Sequence, residues 1–465
     1  MRATQDFIPF ICATKRSRIA AWSAILGLTM LLSACHHDKS QGRTDGGPSG
    51  TDAARTDQDA DNQTDASSRT DASTESDGST DPDGSGNHQP LADGSCTDPH
   101  PAHSDMETTL RDLPPNSWYQ APGSLMRSVC PDIPDRNCDT VITAWSGGAY
   151  DPLHNRMLVF GGGHNDYPGN ELYGFDLATL SWARLTDPSP IEYKNQDPLP
   201  DGRPVSRHSY GGLQYLTQAN RFYAWGGSRW QDGGGTHVTW TFDSDTLQWE
   251  DRQPADEPQS AHSYSHASAY DPATGLVFLH VTTQFIAYDY AANRYQVIRD
   301  LGVTPLWPRY QVWGDKSCTV DSKRHLLWCL GSGLVMVYDI ENDQIVTNDW
   351  ATTGGADFSN EDQVSGHDDQ IFHTTGGEVV TAAGPGLDYD PVADALVAWV
   401  GGGPWILDLE TKHWHQGSAQ GAPAQAAING TFGRWRYVPR TNVFILVNSV
   451  DDNVSFYKHT AGCGE

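Results

Sequence analysis

The sequence predicts an all-β fold: a β-propeller counted at six blades, carried behind a disordered N-terminal tether. Three observations predict it. The first is self-similarity. "AYDPLHNRMLVFGGG" at 149–163 is echoed by "AYDPATGLVFLH" at 269–280, by "DYDPVADALVAWVGGG" at 388–403 and, loosely, by "RYVPRTNVFILVN" at 436–448. Each reads as a strand, a Pro- or Asn-containing turn and a second strand of β-branched and aromatic residues. The second is the sequence just after each copy. A third strand ("YGFDL", "TWTFDS", "IAYDY", "MVYDI", "WILDL") is often succeeded by a fourth with Trp or Tyr ("LSWARL", "LQWEDR", "NRYQVI", "KHWHQ"). The third is the lack of any long amphipathic helical pattern to compete with this reading.

Taken in order, residues 1–35 read as an export signal. Lys15, Arg16 and Arg18 precede an apolar run from Ile19 to Leu32 that ends in "LSAC". The run is short for a membrane span of about 20 residues, and small residues before Cys35 favour cleavage there. The tetrapeptide resembles the bacterial lipobox, which implies lipidation at Cys35 and an exported lipoprotein of the outer membrane or cell surface. Residues 36–95 are Asp, Thr, Ser and Gly with almost no apolar content, so they cannot bury enough surface to offset ordering entropy. The formal net charge of −29 extends beyond this linker and argues against a nucleic-acid partner. A membrane contact is expected through the lipid alone, and a monomer is expected.

The domain at 96–465 is large for one compact core but ordinary for a propeller. Repeat units begin near residues 144, 208, 265, 315, 385 and 432. The last lacks a fourth strand, and "NSWYQAP" at 116–122 is expected to complete it from the N-terminal side. Residues 351–383 are either a long insertion or a degenerate seventh blade. Phe160, Trp225, Phe278, Trp328, Trp399 and Phe444, all on second strands, are assigned to the core. Six cysteines remain after Cys12 and Cys35 are set aside, an even number that suggests disulfides in an exported protein. Cys318–Cys329 across a hairpin, Cys130–Cys138 as a local loop and Cys96–Cys463 between the ends are the pairings considered.

In a propeller, the loops after second strands and the links between blades open on one face. His164 lies in the first such loop and Arg229 in the next. Arg207, His208 and Tyr210 end one link ("SRHSY"), and His262, Tyr264 and His266 end another ("SAHSYSH"). Arg309 and Tyr310, His367 and His373, and Arg434 follow in later links. A single loop histidine is more often turn chemistry, but the recurrence of His, Tyr and Arg at equivalent blade edges favours an axial binding site.

Those residue types suit β-elimination from a uronic acid polymer. A base removes the proton beside the carboxylate, an acid protonates the leaving oxygen, and a cation offsets the developing charge. Trp230 is a candidate for stacking on sugar rings. Hydrolysis would want two carboxylates across a cleft, and Asp166, Asp232 and Asp315 form no obvious pair in the sequence.

Four strands per unit, glycines after the second and an aromatic in the fourth resemble the kelch repeat. Over roughly 120–465 the chain resembles kelch-type propeller polysaccharide lyases, including ulvan lyases. That resemblance implies that His164 in "GGGHNDY" and Tyr210 in "SRHSY" are acid/base residues and that Arg229 in "GGSRW" neutralises the carboxylate. It implies assisting or substrate-binding roles for His208 and His266; His262, Tyr264, Arg309 and Arg434 join them as substrate-binding candidates. The sequence departs from that pattern in having Ala144-Trp145 where those lyases carry a further histidine. Two other readings are kept: a non-catalytic propeller that binds glycan or protein at the cell surface, and, ranked below it, a copper radical oxidase. No cofactor is expected, and a structural metal ion is left open.

Overall fold

The computed structural model describes residues 104–258, 265–301, 315–361 and 371–462. Cys35, Cys96, Cys463, His262, Tyr264, Arg309, Tyr310 and His367 lie outside the described residues, as do the signal and the linker.

The repeated "YD", which reads Val320-Asp321 in the fourth repeat and Tyr437-Val438 in the sixth, does two local jobs. Its aspartate ends an innermost strand and caps the turn behind it. Asp151 accepts from the backbone N–H groups of Leu153 and His154, Asp271 from Ala273 and Thr274, Asp321 from Lys323 and Arg324, and Asp390 from Val392 and Ala393. A short carboxylate that mimics a backbone acceptor is what such turns favour. The tyrosine closes the same turn from the other side. The hydroxyl of Tyr150 donates to Asn155 Oδ1, five residues on, at 2.7 Å. Tyr389 does so to Asp394, and Tyr437 to Asn442. Each acceptor is left-handed (φ 47°, 53° and 49°), a conformation that Asn and Asp tolerate better than most residues.

These hairpins build six four-stranded antiparallel sheets. The innermost strands are Gly147–Asp151, Leu213–Leu216, Ala267–Asp271, Ser317–Asp321, Gly386–Asp390 and Trp435–Val438, for blades 1 to 6. Each touches the next, and the sixth touches the first, so the blades form a ring. Inside the ring, Gly211, Ser268, Ser317, Leu387, Phe432 and Arg436 border a cavity of only about 10 Å³, room for roughly one water. Among the described residues the axis is closely packed at this level, which leaves a mouth as the place for a ligand.

Blade 6 takes its outermost strand from the other end of the chain. Ser117–Gln120 pairs antiparallel with Ser455–Lys458, in the register Ser117 to Lys458 and Gln120 to Ser455. Trp118 lies 5.1 Å from Tyr457 and 5.8 Å from Trp435, ring to ring, and its Nε1 donates to Ser418 O at 2.8 Å. Residues 351–383 are not a seventh blade. Their described part holds a two-residue pairing, Phe358–Ser359 with His373–Thr374, and a single turn of helix, Gly377–Val380, which buries Val379 and Val380 against blades 4 and 5. The six second-strand aromatics assigned to the core are all buried, at 3% exposure or less.

Two of the expected disulfides are present. Cys318 and Cys329 are directly opposed residues of blade 4, and Cys130–Cys138 closes a surface loop.

Replacing Trp118 with Ala removes the main side-chain clasp of the closing strand. A loss of about 3 kcal/mol in unfolding free energy is expected, read as a fall in the urea midpoint at unchanged slope.

Candidate functional site at the axial mouth

The chain enters five of the innermost strands through a left-handed residue. Trp145, Tyr210, Ser265, Gly384 and Phe432 stand two or three positions before blades 1, 2, 3, 5 and 6, with φ between 44° and 53°. For Trp, Tyr and Phe this conformation is costly, of order 1–2 kcal/mol each. The tight approach of blades demands it: a Cβ on Gly147 would lie 2.3 Å from Tyr210 O. The sharp turns collect large side chains around one mouth.

Tyr210 is the hub. Its ring centroid lies 6.0 Å from His208, 5.9 Å from His266 and 6.0 Å from Phe432, edge-on in each case. His208 continues the chain to Trp145 at 4.9 Å and to His164 at 5.6 Å. His164 is exposed, whereas His208 and Tyr210 show only 3% and 9% of their surface. The "GGGH" stretch explains this placement. Gly163 has φ +71°, and a Cβ there would fall 2.1 Å from Arg207 Cα, so only glycine lets the blade 1 loop lie against the "SRHSY" link. The loop turns back at once, with the N–H of Asp166 donating to Gly163 O, and aims Asp166 at His208.

His208 Nε2 and Asp166 Oδ2 are 2.8 Å apart. Burial depresses the His208 pKa despite the carboxylate, so the ring is neutral at pH 7. Asp166 is held below the usual carboxylate range, first by its hydrogen bond to His208 and then by the charges of His208, His164 and Arg136. An ionised Asp166 accepts from Nε2–H, which leaves Nδ1 as the basic nitrogen.

A second carboxyl reaches the mouth from the opposite side of the ring. Trp145 Nε1, at the entry to blade 1, donates to Asp315 Oδ2, at the entry to blade 4, at 2.8 Å. In a six-blade ring these positions face each other, so the indole spans the axis and floors the site. Burial pushes the Asp315 carboxyl up to about 6 and the Lys316 ammonium down to about 8. Lys316 Nζ donates to Ser265 O at 2.7 Å.

The other residues expected at this face are placed differently. Arg434 is fully buried. Its guanidinium donates to the carbonyls of Ser146, Val447 and Gly430, stitching blade 6 to blade 1, and presents no surface at the mouth. His266 is 0% exposed behind Tyr210 and packs on Trp225 at 5.1 Å, walling the site without facing solvent. Trp230 is 5% exposed among Leu199, Val205 and Tyr193, which denies it a free face for a sugar. Arg207 is buried with Asp197 at 2.7 Å. Arg229 reaches the surface but is held by both oxygens of Asp232, at 3.0 and 2.9 Å, so an incoming carboxylate competes with that ion pair. His373 stands apart, 3.3 Å from Glu361. Asp315 and Lys316 as a pair, Phe432 and the bridging role of Trp145 were not legible as site features. Only the recurrence of an aromatic just before an innermost strand ("AWSGG", "SYGG", "TFGRW") could have signalled them.

No protein-family model matches this chain, and no curated protein matches it. Among solved structures it is similar to a structural-genomics protein of unknown function from Bacteroides thetaiotaomicron. That likeness has 10% identity and a TM-score of 0.41, over 66% of this chain and 67% of the other. It is also similar to a chain of a nidogen/laminin complex, at 9% identity and a TM-score of 0.37, over 61% of this chain and 82% of that one. The six-bladed assignment rests on the strand order of this chain itself.

The trans-axial hydrogen bond gives a pH signature. Above about pH 6 Asp315 is ionised and the Trp145 N–H donates to a charged oxygen; below it the acceptor is neutral and the bond weaker. The indole proton of Trp145, assigned by Trp145→Phe, is expected to move downfield as pH rises through about 6 and to stop titrating in Asp315→Asn.

Proposed function

We propose that this protein is an exported, lipid-anchored polysaccharide lyase of kelch type that cleaves a uronate-containing glycan at the axial mouth. The observation that carries the reading is the unbroken contact of His164, His208 and Tyr210, with Asp166 behind His208. β-Elimination needs a proton acceptor and a proton donor on neighbouring atoms of one sugar ring, and this cluster offers both, one on each side of His208, at ring-to-ring steps of 5.6 and 6.0 Å.

In this reading His164, the exposed imidazole, takes the proton beside the carboxylate. The C–H electron pair becomes the ring double bond, the C–O bond to the leaving sugar breaks, and the Tyr210 hydroxyl supplies the proton to the departing oxygen. His208, neutral and oriented by Asp166, lies between them and can take up the proton that either must exchange. A cation is still required to offset charge on the carboxylate as it gains enolate character.

One specific observation favours a second chemistry. Asp166 and Asp315 reach the same His208–Trp145 pair, one carboxyl lowered and the other raised, which is the environment a hydrolytic acid and its partner carboxylate need.

The experiment is incubation with ulvan, alginate, pectate, glucuronan and glycosaminoglycans, following ultraviolet absorbance of unsaturated uronate together with reducing ends. A rise in both is expected with one polymer. His164→Ala and Tyr210→Phe should each lower kcat/KM by roughly 100-fold or more with the circular dichroism spectrum unchanged. Full activity in both variants rejects the site. Reducing ends without absorbance indicate hydrolysis, and saturable binding with neither indicates a non-catalytic glycan-binding propeller.

A further inference from the structure

The lyase reading needs a cation for the uronate carboxylate, and the cations described at this face are engaged elsewhere; Arg309 lies outside the described residues. Arg434 serves three backbone carbonyls, Arg207 is sealed in with Asp197, and Lys316 is 0% exposed. Arg229 is locked on Asp232, whose Oδ1 also accepts from the N–H of Gly234; the pair braces its own loop.

A different arginine stands beside the exposed histidine. Arg136 is exposed, and its Nη1 donates to the backbone oxygen of Asn165, the residue after His164, at 3.3 Å. Its guanidinium carbon lies 4.9 Å from the ring centre of Trp230. The two loops meet at this point: a Cβ on Gly233 would come within 2.4 Å of the His164 imidazole. Arg136 therefore sits where the blade 1 and blade 2 loops converge. Among the described residues no carboxylate stands within ion-pair distance of it, although its charge is felt by Asp166 across the same loop, and a guanidinium carries five N–H donors, most of which remain for a ligand.

The loop that presents it is tied to the fold at several points. Cys130–Cys138 closes residues 130–138. Ile133 in the loop's middle is 6% exposed and belongs to the core of blades 1 and 6, and the N–H of Arg136 donates to Ile133 O at 3.1 Å. On the flanks, Arg127 pairs with Asp139 and with Asp451, the latter at 2.7 Å. A cation held this way loses little side-chain freedom on binding, which favours affinity. Stacked on an indole, its planar fork is suited to bidentate capture of a carboxylate.

We propose that Arg136, presented by the disulfide-closed loop 130–138, receives the carboxylate of a uronate ligand and sets the preference for acidic over neutral sugars. This rests on the uronate-binding part of the function proposed above, and it moves the role expected of Arg229 to a residue outside the repeat.

The test is calorimetric titration of the full-length protein with glucuronate and, as the uncharged control, glucose. Glucuronate is expected to bind saturably and glucose not. Arg136→Ala should weaken glucuronate at least tenfold, Arg136→Lys should fall between it and the parent, and Arg229→Ala should bind like the parent. Joint replacement of Cys130 and Cys138 by Ser should weaken binding in the same direction, since the loop would no longer hold the guanidinium in place. Parent-like binding by Arg136→Ala, loss of binding in Arg229→Ala alone, or no response of the parent to glucuronate each overturns the proposal. Product absorbance judges the lyase reading separately. Arg136-dependent glucuronate binding without unsaturated product from any polymer leaves this site standing and removes the lyase. Product formation with an unchanged KM in Arg136→Ala does the reverse.

Discussion

Everything in this molecule depends on the pairing of Ser117–Gln120 with Ser455–Lys458. A propeller is a ring of sheets, each of which packs its faces on two neighbours, and the ring holds only if the last blade is complete. Without the N-terminal strand, Ser455–Lys458 would expose a row of unpaired backbone groups, the usual template for association between chains. Joining residues so distant in sequence costs loop entropy, but that cost grows only logarithmically with length. Trp118 against Tyr457 and Trp435 then adds apolar burial to the four-residue register. Glu107 extends the clasp from the helix Asp105–Arg111, accepting from Asn155 and pairing with Arg440 on the turns of blades 1 and 6.

Closure also makes the site. Six innermost strands crowd an axis that has no room for a ligand, so the mouth is the place where links must turn sharply and where side chains of distant segments meet. The left-handed Trp145, Tyr210 and Phe432 are local conflicts between side-chain preference and backbone path. Such conflicts persist only where surrounding structure over-determines them, and they concentrate at functional positions. The buried polar groups follow the same pattern. His208, Asp315 and Lys316 are all shifted away from the ionised form by burial, and all three stand at the mouth. Arg434, also fully buried, is a device of closure: its three carbonyl partners lie in the seams around blade 6.

Much of the fold was legible because its signals are local. An aspartate that caps a turn, a tyrosine that closes it and alternating apolar residues on the strands act over five or six residues, and so they repeat in the sequence wherever the hairpin repeats. The disulfide between Cys318 and Cys329 was legible for the same reason, since a hairpin puts them opposite each other. The site was legible only in part. His164, His208 and Tyr210 could be gathered onto one face from the blade pattern. Which of them meets solvent could not, because exposure depends on how tightly neighbouring blades press on each link. His266 and Tyr210 stand in similar link sequences, "AHSYSH" and "RHSYGG", yet the first is sealed behind the second.

The sequence by itself determined the hairpin turns, the four-strand repeat and the supply of a closing strand from the N-terminal side, since each follows from short-range patterning and turn chemistry; that residues 351–383 are an insertion and the blades number six came from the structure. Tertiary structure alone decided which charges are available. Arg434 and Arg229 look alike in a sequence, but one is consumed by backbone carbonyls and the other by a neighbouring carboxylate, while Arg136, in a stretch with no repeat signal, is brought beside His164. The physical reason is that a charged group's role is set by what lies within a few ångströms of it in a low-dielectric setting, and ring closure assembles those neighbours from segments far apart in the chain.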